Sequence, residues 1–331
     1  MIPTRRARGA QREARAIADR LDRPGERAHR VLSLFAGSDE VRADVAMELR
    51  GGRPPGTGFQ PPAVRALRRR LRALDPALVV AHGSEPLKYL VPALAGSARP
   101  LAYYAIGTYS GPRRAVRQAL WRALLARPDL VLAEGDEVAE ECRASFGLDP
   151  SRVVMAPNGR DPEVFCPPPP GSSAEGPPTV AFVGALTPGK RPDRFVYLVG
   201  DLRRDGVDLR AVAVGDGPLR DQLRPAAERA GVELLGHRAD VADLLRAADV
   251  LVFPSDPEGE GMPGVLIEAG LTGIPVVATD VPGVRSVLVD GRTGFVVGVG
   301  DREGMAAAVR RLLEHPELRA GMGEAGRARC L

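Results

Sequence analysis

The sequence predicts an α/β protein made of two doubly wound parallel-sheet domains. Three observations carry that expectation. Short, unbroken apolar runs alternate with helix-length segments along the chain. Most of these runs end in Gly or a polar residue. A Pro-, Gly- and Ser-rich stretch, FCPPPPGSSAEGPP (165–178), separates them into two sets. Strands covered by crossover helices on both faces read as continuous apolar runs, and this is the pattern found. A length of 331 residues suits two domains, each able to close its own core.

The elements follow in order. The first set of strands is VLSLFAG, ALVVAHG, LAYYAIG, DLVLAEG and RVVMAPNG; the second is TVAFVGA, LRAVAVGDG, VELLGH, VLVFPS, PVVATDV and GFVVGVG. Domains are therefore expected over 1–165 and 179–331, joined by a Pro-rich linker over 166–178. Within the first domain, PPAVRALRRRLRAL puts Val64, Leu67, Leu71 and Leu74 on one helical face, with Arg65, Arg68, Arg69, Arg70 and Arg72 largely elsewhere. RRAVRQALWRALLAR, carrying the sole Trp121, reads the same way. In the second domain, Pro192 suits the first turn of a helix, and Met262-Pro263-Gly264 marks another helix start.

Composition narrows the classes of function. Cys142, Cys166 and Cys330 have neither the paired spacing of a zinc site nor an even disulfide framework, which favours a reducing compartment. No apolar run approaches the length needed to span a bilayer. Lys and Arg outnumber Asp and Glu by 27 to 19 in residues 1–165, whereas the remainder carries 19 against 23. A basic first half and an acidic second half suggest different partners for the two. The basic helices lack interleaved stacking aromatics, so nucleic acid is not the expected partner. An anionic membrane surface is one reading of them, and a solvated helix face covering the sheet is the other.

FVGALTPGKRPDRF (182–195) has the spacing of a phosphate-gripping loop, with Gly184 and then Gly189-Lys190. The position after the lysine is Arg191, where a P-loop needs the Ser or Thr hydroxyl that holds magnesium. The stretch therefore reads as a diphosphate site without the metal. Further on, DPEGEGMPGVLIEAG places Glu260 before a helix and Glu268 inside it, flanking Gly261, Met262 and Pro263 and the first-turn amides of Gly264 and Val265. An anion on those amides with hydroxyls on the two acids suits a sugar nucleotide. Gly215 and Gly217 in GDGP follow a strand end and serve either this site or a tight turn.

The succession FVGALTPGK, AVGDGPLRDQL, LLGHRADVADLLRAADVLVFPS, EGMPGVLIEAG and GIPVVATDVPGVRSVLVDGRTGFVV closely resembles the donor domain of family 4 retaining glycosyltransferases. That family has the GT-B architecture, two Rossmann-like domains facing a cleft. RRARGAQREARAIADRL resembles its glycine loop and first helix, which puts Gly9 on the acceptor side. MAPNGRDPEVFCP is similar to its boundary signature. The resemblance implies that Glu260 contacts the donor sugar, Glu268 holds the ribose, and Lys190 neutralises the leaving diphosphate. It further implies that Gly184 allows close backbone approach and that Gly264 and Val265 supply amides. His82 resembles a histidine that faces the reaction, and His237 lies where the family has a loop near the base. Ala185 stands where the family usually has Arg, and Arg191 is the candidate to reach the diphosphate instead. No Asp-x-Asp motif is present, so no metal is expected. The opening MIPTR is not the apolar strand that precedes the glycine loop in the family, so the first sheet is expected to lack it. The final crossover helix is expected to be missing as well.

The function implied is metal-independent transfer of a hexose-type sugar, with retention, from a UDP- or GDP-type donor to a lipid-linked, glycan or small-molecule acceptor. The expected setting is the cytoplasm or the inner membrane face. Two alternatives stay open: a catalytically inert binding partner, and a nucleotide-sugar epimerase of the same fold.

Overall fold

The computed structural model describes residues 1–4, 9–23, 28–36, 41–49, 59–106, 115–169, 171, 176–257 and 261–331. The chain falls into two units, Met1–Asn158 and Gly159–Leu331.

The first unit runs α1 (Gly9–Leu21), β1 (Leu32–Phe35), β2 (Val45–Leu49), α2 (Pro61–Leu74), β3 (Val79–His82), α3 (Ser84–Ala93), β4 (Leu101–Ala105), α4 (Ala115–Leu125), β5 (Leu130–Ala133), α5 (Asp136–Glu140) and β6 (Val153–Met155). Strands β3 to β6 form a parallel sheet in chain order, and β1 pairs in parallel with β2. Met1–Pro3 joins the two sets. Ile2 N donates to Leu32 O at 2.9 Å, Leu34 N to Ile2 O at 3.3 Å, and His82 N to Met1 O at 3.0 Å. The central place expected to be empty is thus taken by three residues. Too short to register as an apolar run, they are fixed by Ile2, fully buried with Ala14 and Ala18 of α1, and by Met1, which joins the core of the first unit.

Strand β2 was not among the expected elements. Val45 is buried while Ala46 and Glu48 are exposed, so VAMEL is a half-solvated strand and not a continuous apolar one. Helix α2 buries Ala63, Leu67 and Leu71, while Val64 and Leu74 are only partly covered. Arg68 reaches the C-terminal end of α3, donating to Ala93 O at 3.0 Å and Pro92 O at 2.9 Å, where a cation is favoured by the helix carbonyls.

The second unit runs β7 (Thr179–Val183), α6 (Pro192–Arg204), β8 (Arg210–Val214), α7 (Arg220–Ala230), β9 (Val232–Gly236), α8 (Val241–Arg246), β10 (Val250–Phe253), α9 (Gly264–Thr272), β11 (Val276–Thr279), α10 (Val284–Val287), β12 (Gly294–Val297), α11 (Arg302–Glu314) and α12 (Pro316–Cys330). Its six parallel strands are ordered β9-β8-β7-β10-β11-β12, the doubly wound dinucleotide-fold order. Alternate residues feed two cores. Val180, Phe182, Val250 and Val252 pack on one face with Phe195, Val199 and Leu202 of α6. Ala181, Leu251 and Phe253 pack on the other with Leu266 and Leu271 of α9.

The division falls at Asn158/Gly159, ahead of the Pro-rich stretch. Phe165 packs into the second unit's core and Arg160 lies on α9, so GRDPEVF belongs with that unit. The last helix, α12, packs on α9 there: Arg327 donates to Leu271 O, and a Cβ on Gly323 would meet Gly273 O at 1.9 Å. No helix among the described residues is long and apolar enough to cross a membrane.

Candidate functional site

The strand order reverses between β7 and β10, and ligands of open α/β sheets bind beyond the carboxyl ends of strands at such a switch point. The loops that leave those ends carry most of the residues singled out in the sequence. After β7, Gly184 to Lys190 form a loop whose last residues make a single 3-10 turn, Pro188–Lys190. It is stitched to the loop after β10 by Asp256 N donating to Gly189 O at 2.8 Å. The Lys190 ammonium lies 5.1 Å from the centroid of Phe253, the last residue of β10, an attractive contact between a cation and a ring face. The turn thus sets the ammonium at the mouth of the switch point.

Arg191 has a different occupation from the one expected. Its backbone is left-handed (φ 49°), which costs a non-glycine residue energy, and its side chain is held by two acids. Nε and Nη2 donate to Asp193 at 3.0 and 2.7 Å, and Nη1 donates to Asp256 at 3.1 Å. The Asp193 hydrogen bonds raise its pKa above the ordinary arginine range. Burial pushes the Asp193 carboxyl up, but the Arg191 bonds outweigh it and hold it below the usual range. Arg194 also reaches Asp256, at 2.8 Å. The guanidinium is thereby committed within the protein. Its bond to Asp256 ties the turn at Lys190 to the loop after β10.

Gly215 follows β8, and its reason for being glycine is now visible. Its N–H donates to Gly236 O at 2.8 Å, and its φ is +137°. A Cβ there would stand 1.9 Å from the carbonyl oxygen of Gly184. The two loops pack backbone to backbone, and Leu186 N donating to Asp216 O at 3.0 Å continues the contact. Gly184 itself is not tight, since a Cβ would meet only the Phe182 ring at 3.4 Å. His237 is exposed, one residue past the end of β9.

On the other side of the switch point, Pro263 caps α9 and Gly264 opens it. The amides of Gly264 and Val265 belong to the first turn, which has no intrahelical acceptor for them. Gly261 and Met262 are partly exposed and Pro263 is buried. Glu268 lies four residues beyond Gly264, on the same face, and its Oε1 accepts from Arg160 Nε at 2.6 Å. Arg160 was not picked out from the sequence, although it stands in the quoted MAPNGRDPEVFCP. Asp256 was likewise missed, directly after VFPS. Glu260 lies outside the described residues. No group of three or more His, Cys, Asp or Glu side chains poised to hold a metal ion is found among the described residues.

In the first unit, His82 ends β3 and is buried, its ring 5.4 Å from that of Tyr104. Burial lowers its pKa to about 3, so the imidazole is neutral at pH 7. Its Nδ1 is buried and makes no hydrogen bond to the described residues. Beside it, Tyr104 Oη donates to Glu13 Oε1 at 2.9 Å and approaches Asn158 Oδ1 at 3.2 Å, and Asn158 Nδ2 donates to Glu134 Oε2 at 3.1 Å. This buried polar chain ties α1, β4 and the ends of β5 and β6 together. Gly9 opens α1.

Comparison with known proteins places both units. The model of glycosyltransferase family 4 matches residues 7–164, and that of glycosyl transferases group 1 matches 177–315. D-inositol 3-phosphate glycosyltransferase 2 of Catenulispora acidiphila is 34% identical over 220 residues, 59% of this chain and 50% of its own length. The D-inositol 3-phosphate glycosyltransferase of Kineococcus radiotolerans is 32% identical over 252 residues, 66% and 57% of the two chains. The chain spans about half the length of the curated relatives it matches. Among solved structures, Anabaena HepE in complex with UDP superposes with a TM-score of 0.81 at 20% identity, covering 99% of this chain and 93% of that one; it has also been solved with UDP-glucose. With a glycosyltransferase model on each unit, and a doubly wound sheet whose switch point carries Lys190, Gly264 and Glu268, the chain belongs to the family 4 glycosyltransferases of GT-B architecture.

Proposed function

We propose that the chain transfers a sugar, with retention, from a nucleotide-sugar donor of the UDP or GDP type to an acceptor hydroxyl. The observation that carries this reading is the convergence, at the β7/β10 switch point, of a lysine, the amide end of α9 and a carboxylate. Diphosphate on the amides and on Lys190, with ribose hydroxyls on Glu268, uses each group for what its chemistry favours. Departure of the nucleotide leaves negative charge on the diphosphate, and Lys190 stabilises it as it forms. Glu260 is assigned to the donor sugar, and Gly184, Gly215, Met262 and His237 line the nucleotide side. Retention by attack on the face that the diphosphate leaves needs no protein nucleophile.

The first unit is assigned the acceptor, with Gly9 and the neutral His82 on that side. The name of the Catenulispora relative suggests a phosphorylated acceptor, in keeping with the basic balance of residues 1–165. Exposed Arg65, Arg69, Arg70 and Arg72 on α2 extend the proposal to peripheral contact with an anionic membrane at its cytoplasmic face.

Thermal-shift and turnover assays with UDP-, GDP-, ADP- and dTDP-sugars, on the chain and on Glu268→Ala and Lys190→Ala, test the reading. It expects stabilisation by one nucleotide class, lost in both variants, with sugar release or transfer following the same class. Stabilisation unaffected by either substitution would place the donor elsewhere.

A further inference from the structure

Gly264 carries no side chain, and the Arg160 guanidinium occupies the space where one would go. A Cβ on Gly264 would stand 1.7 Å from Nη2 and 2.6 Å from Cζ. Arg160 is gripped from two sides: Nε donates to Glu268 Oε1 at 2.6 Å and Nη1 to Gly159 O at 2.8 Å. A cation over the first turn of a helix opposes the positive end of the dipole, so the placement depends on Glu268 neutralising it. The two side chains are 16% and 17% exposed, which removes most of the solvent screening that weakens surface pairs.

The arrangement has a chemical use. A free glutamate side chain has three rotatable bonds, and ordering them on a ligand costs affinity. Here the ordering is already done. Oε1 is fixed by Arg160, and Oε2 makes no hydrogen bond to the described residues, leaving it to accept from a hydroxyl.

We propose that Arg160 is a positioning residue of the donor site, holding Glu268 in one rotamer with Oε2 presented to the 2′-hydroxyl of the nucleotide ribose, and that residue 264 is glycine to admit it. The proposal rests on the reading of Glu268 as the ribose acceptor. Gly264→Ala supplies a test that leaves both charges in place, because the added methyl meets the movable end of Arg160 and displaces it from Glu268.

Titration calorimetry of the full chain with UDP and 2′-deoxy-UDP, and with GDP and 2′-deoxy-GDP, tests this. Arg160→Ala and Gly264→Ala are each expected to weaken the ribonucleotide about tenfold, as for members of one hydrogen-bonded pair, and to change the deoxy form less than about twofold. In a Glu268→Gln background, Arg160→Ala should cost nothing further, and Arg160→Lys should recover part of the loss in the wild-type background. Equal losses for ribo and deoxy ligands, or an undiminished cost in the Glu268→Gln background, would overturn the proposal in favour of direct contact with phosphate or a purely structural role. If Glu268→Gln binds like the wild type, the ribose reading itself fails, and this is seen before any Arg160 variant is considered.

Discussion

The Cα of Gly215 faces the carbonyl oxygen of Gly184 so closely that a methyl group there would lie 1.9 Å from it. Since the obstacle is backbone, neither partner has a rotamer through which to yield. The φ of +137° at Gly215 adds strain for any L side chain. Gly215→Ala is therefore expected to destabilise the second unit by roughly 3 kcal/mol. Urea unfolding followed in the isolated variant and the parent would register this as a lower midpoint with an unchanged slope. A midpoint equal to the parent's would mean that the two loops separate freely.

Arg191 holds two carboxylates, Asp193 and Asp256, whose side chains are 28% and 24% exposed. Arg191→Ala leaves both half-buried and acidic, with Arg194 alone on Asp256, at an expected cost of about 1–2 kcal/mol. The pH dependence has a definite sign. The folded-state pKa of Asp193 is held below its ordinary 3.8, so the unfolded chain takes up its proton first on acidification. The stabilisation is complete above that value and is lost as pH falls from it through the lower folded-state pKa. Arg191→Ala should remove that acid-side dependence, which denaturant titrations of parent and variant between neutral pH and the acid limb would reveal.

His82 behaves in the same sense from a different cause. Burial lowers its pKa from 6.5 to about 3, so between those values the unfolded chain holds a proton that the folded one does not. The first unit is accordingly expected to be fully stabilised above pH 6.5 and to weaken on acidification towards 3, by at most about 1.4 kcal/mol per pH unit. His82→Gln removes the titration, and a stability profile flatter than the parent's across this window is the expected result. An unchanged profile would show that the folded chain binds this proton as readily as the unfolded one.

The second unit was legible in the sequence because its strands read as short apolar runs, interrupted only by exposed Arg210 at the start of β8 and Glu233 in the edge strand β9. In the first unit the same rule found β1, β3, β4, β5 and β6 but passed over VAMEL, in which exposed residues alternate with covered ones, and Met1–Pro3, which is held by backbone pairing and the buried side chains of Met1 and Ile2. The start of α9 at Gly264 and the place of Glu268 within it followed from Pro263 and spacing alone. Arg160 did not, because its partner is 108 residues away and neither position signals the other. Arg191 was visible as a departure from the P-loop pattern, but that pattern did not show that Asp193, two residues on, would take two of its donors. Asp256, brought alongside from the far half of the sheet, takes the third.

The strand order of the second unit also bears on how the chain acquires this site. Strand β7 (Thr179–Val183) can pair with β8 as soon as α6 has been laid down, but its other neighbour is β10 (Val250–Phe253), beyond two further strands and three helices. Closing that separation is the entropically slow step of such a sheet. Lys190 comes with the early half, and α9 with Glu268 comes after the late one. In a growing chain the mouth of the switch point is therefore among the last features to take shape, and a fragment ending at α8 would fold, at most, into half a sheet with a lysine and no counterpart.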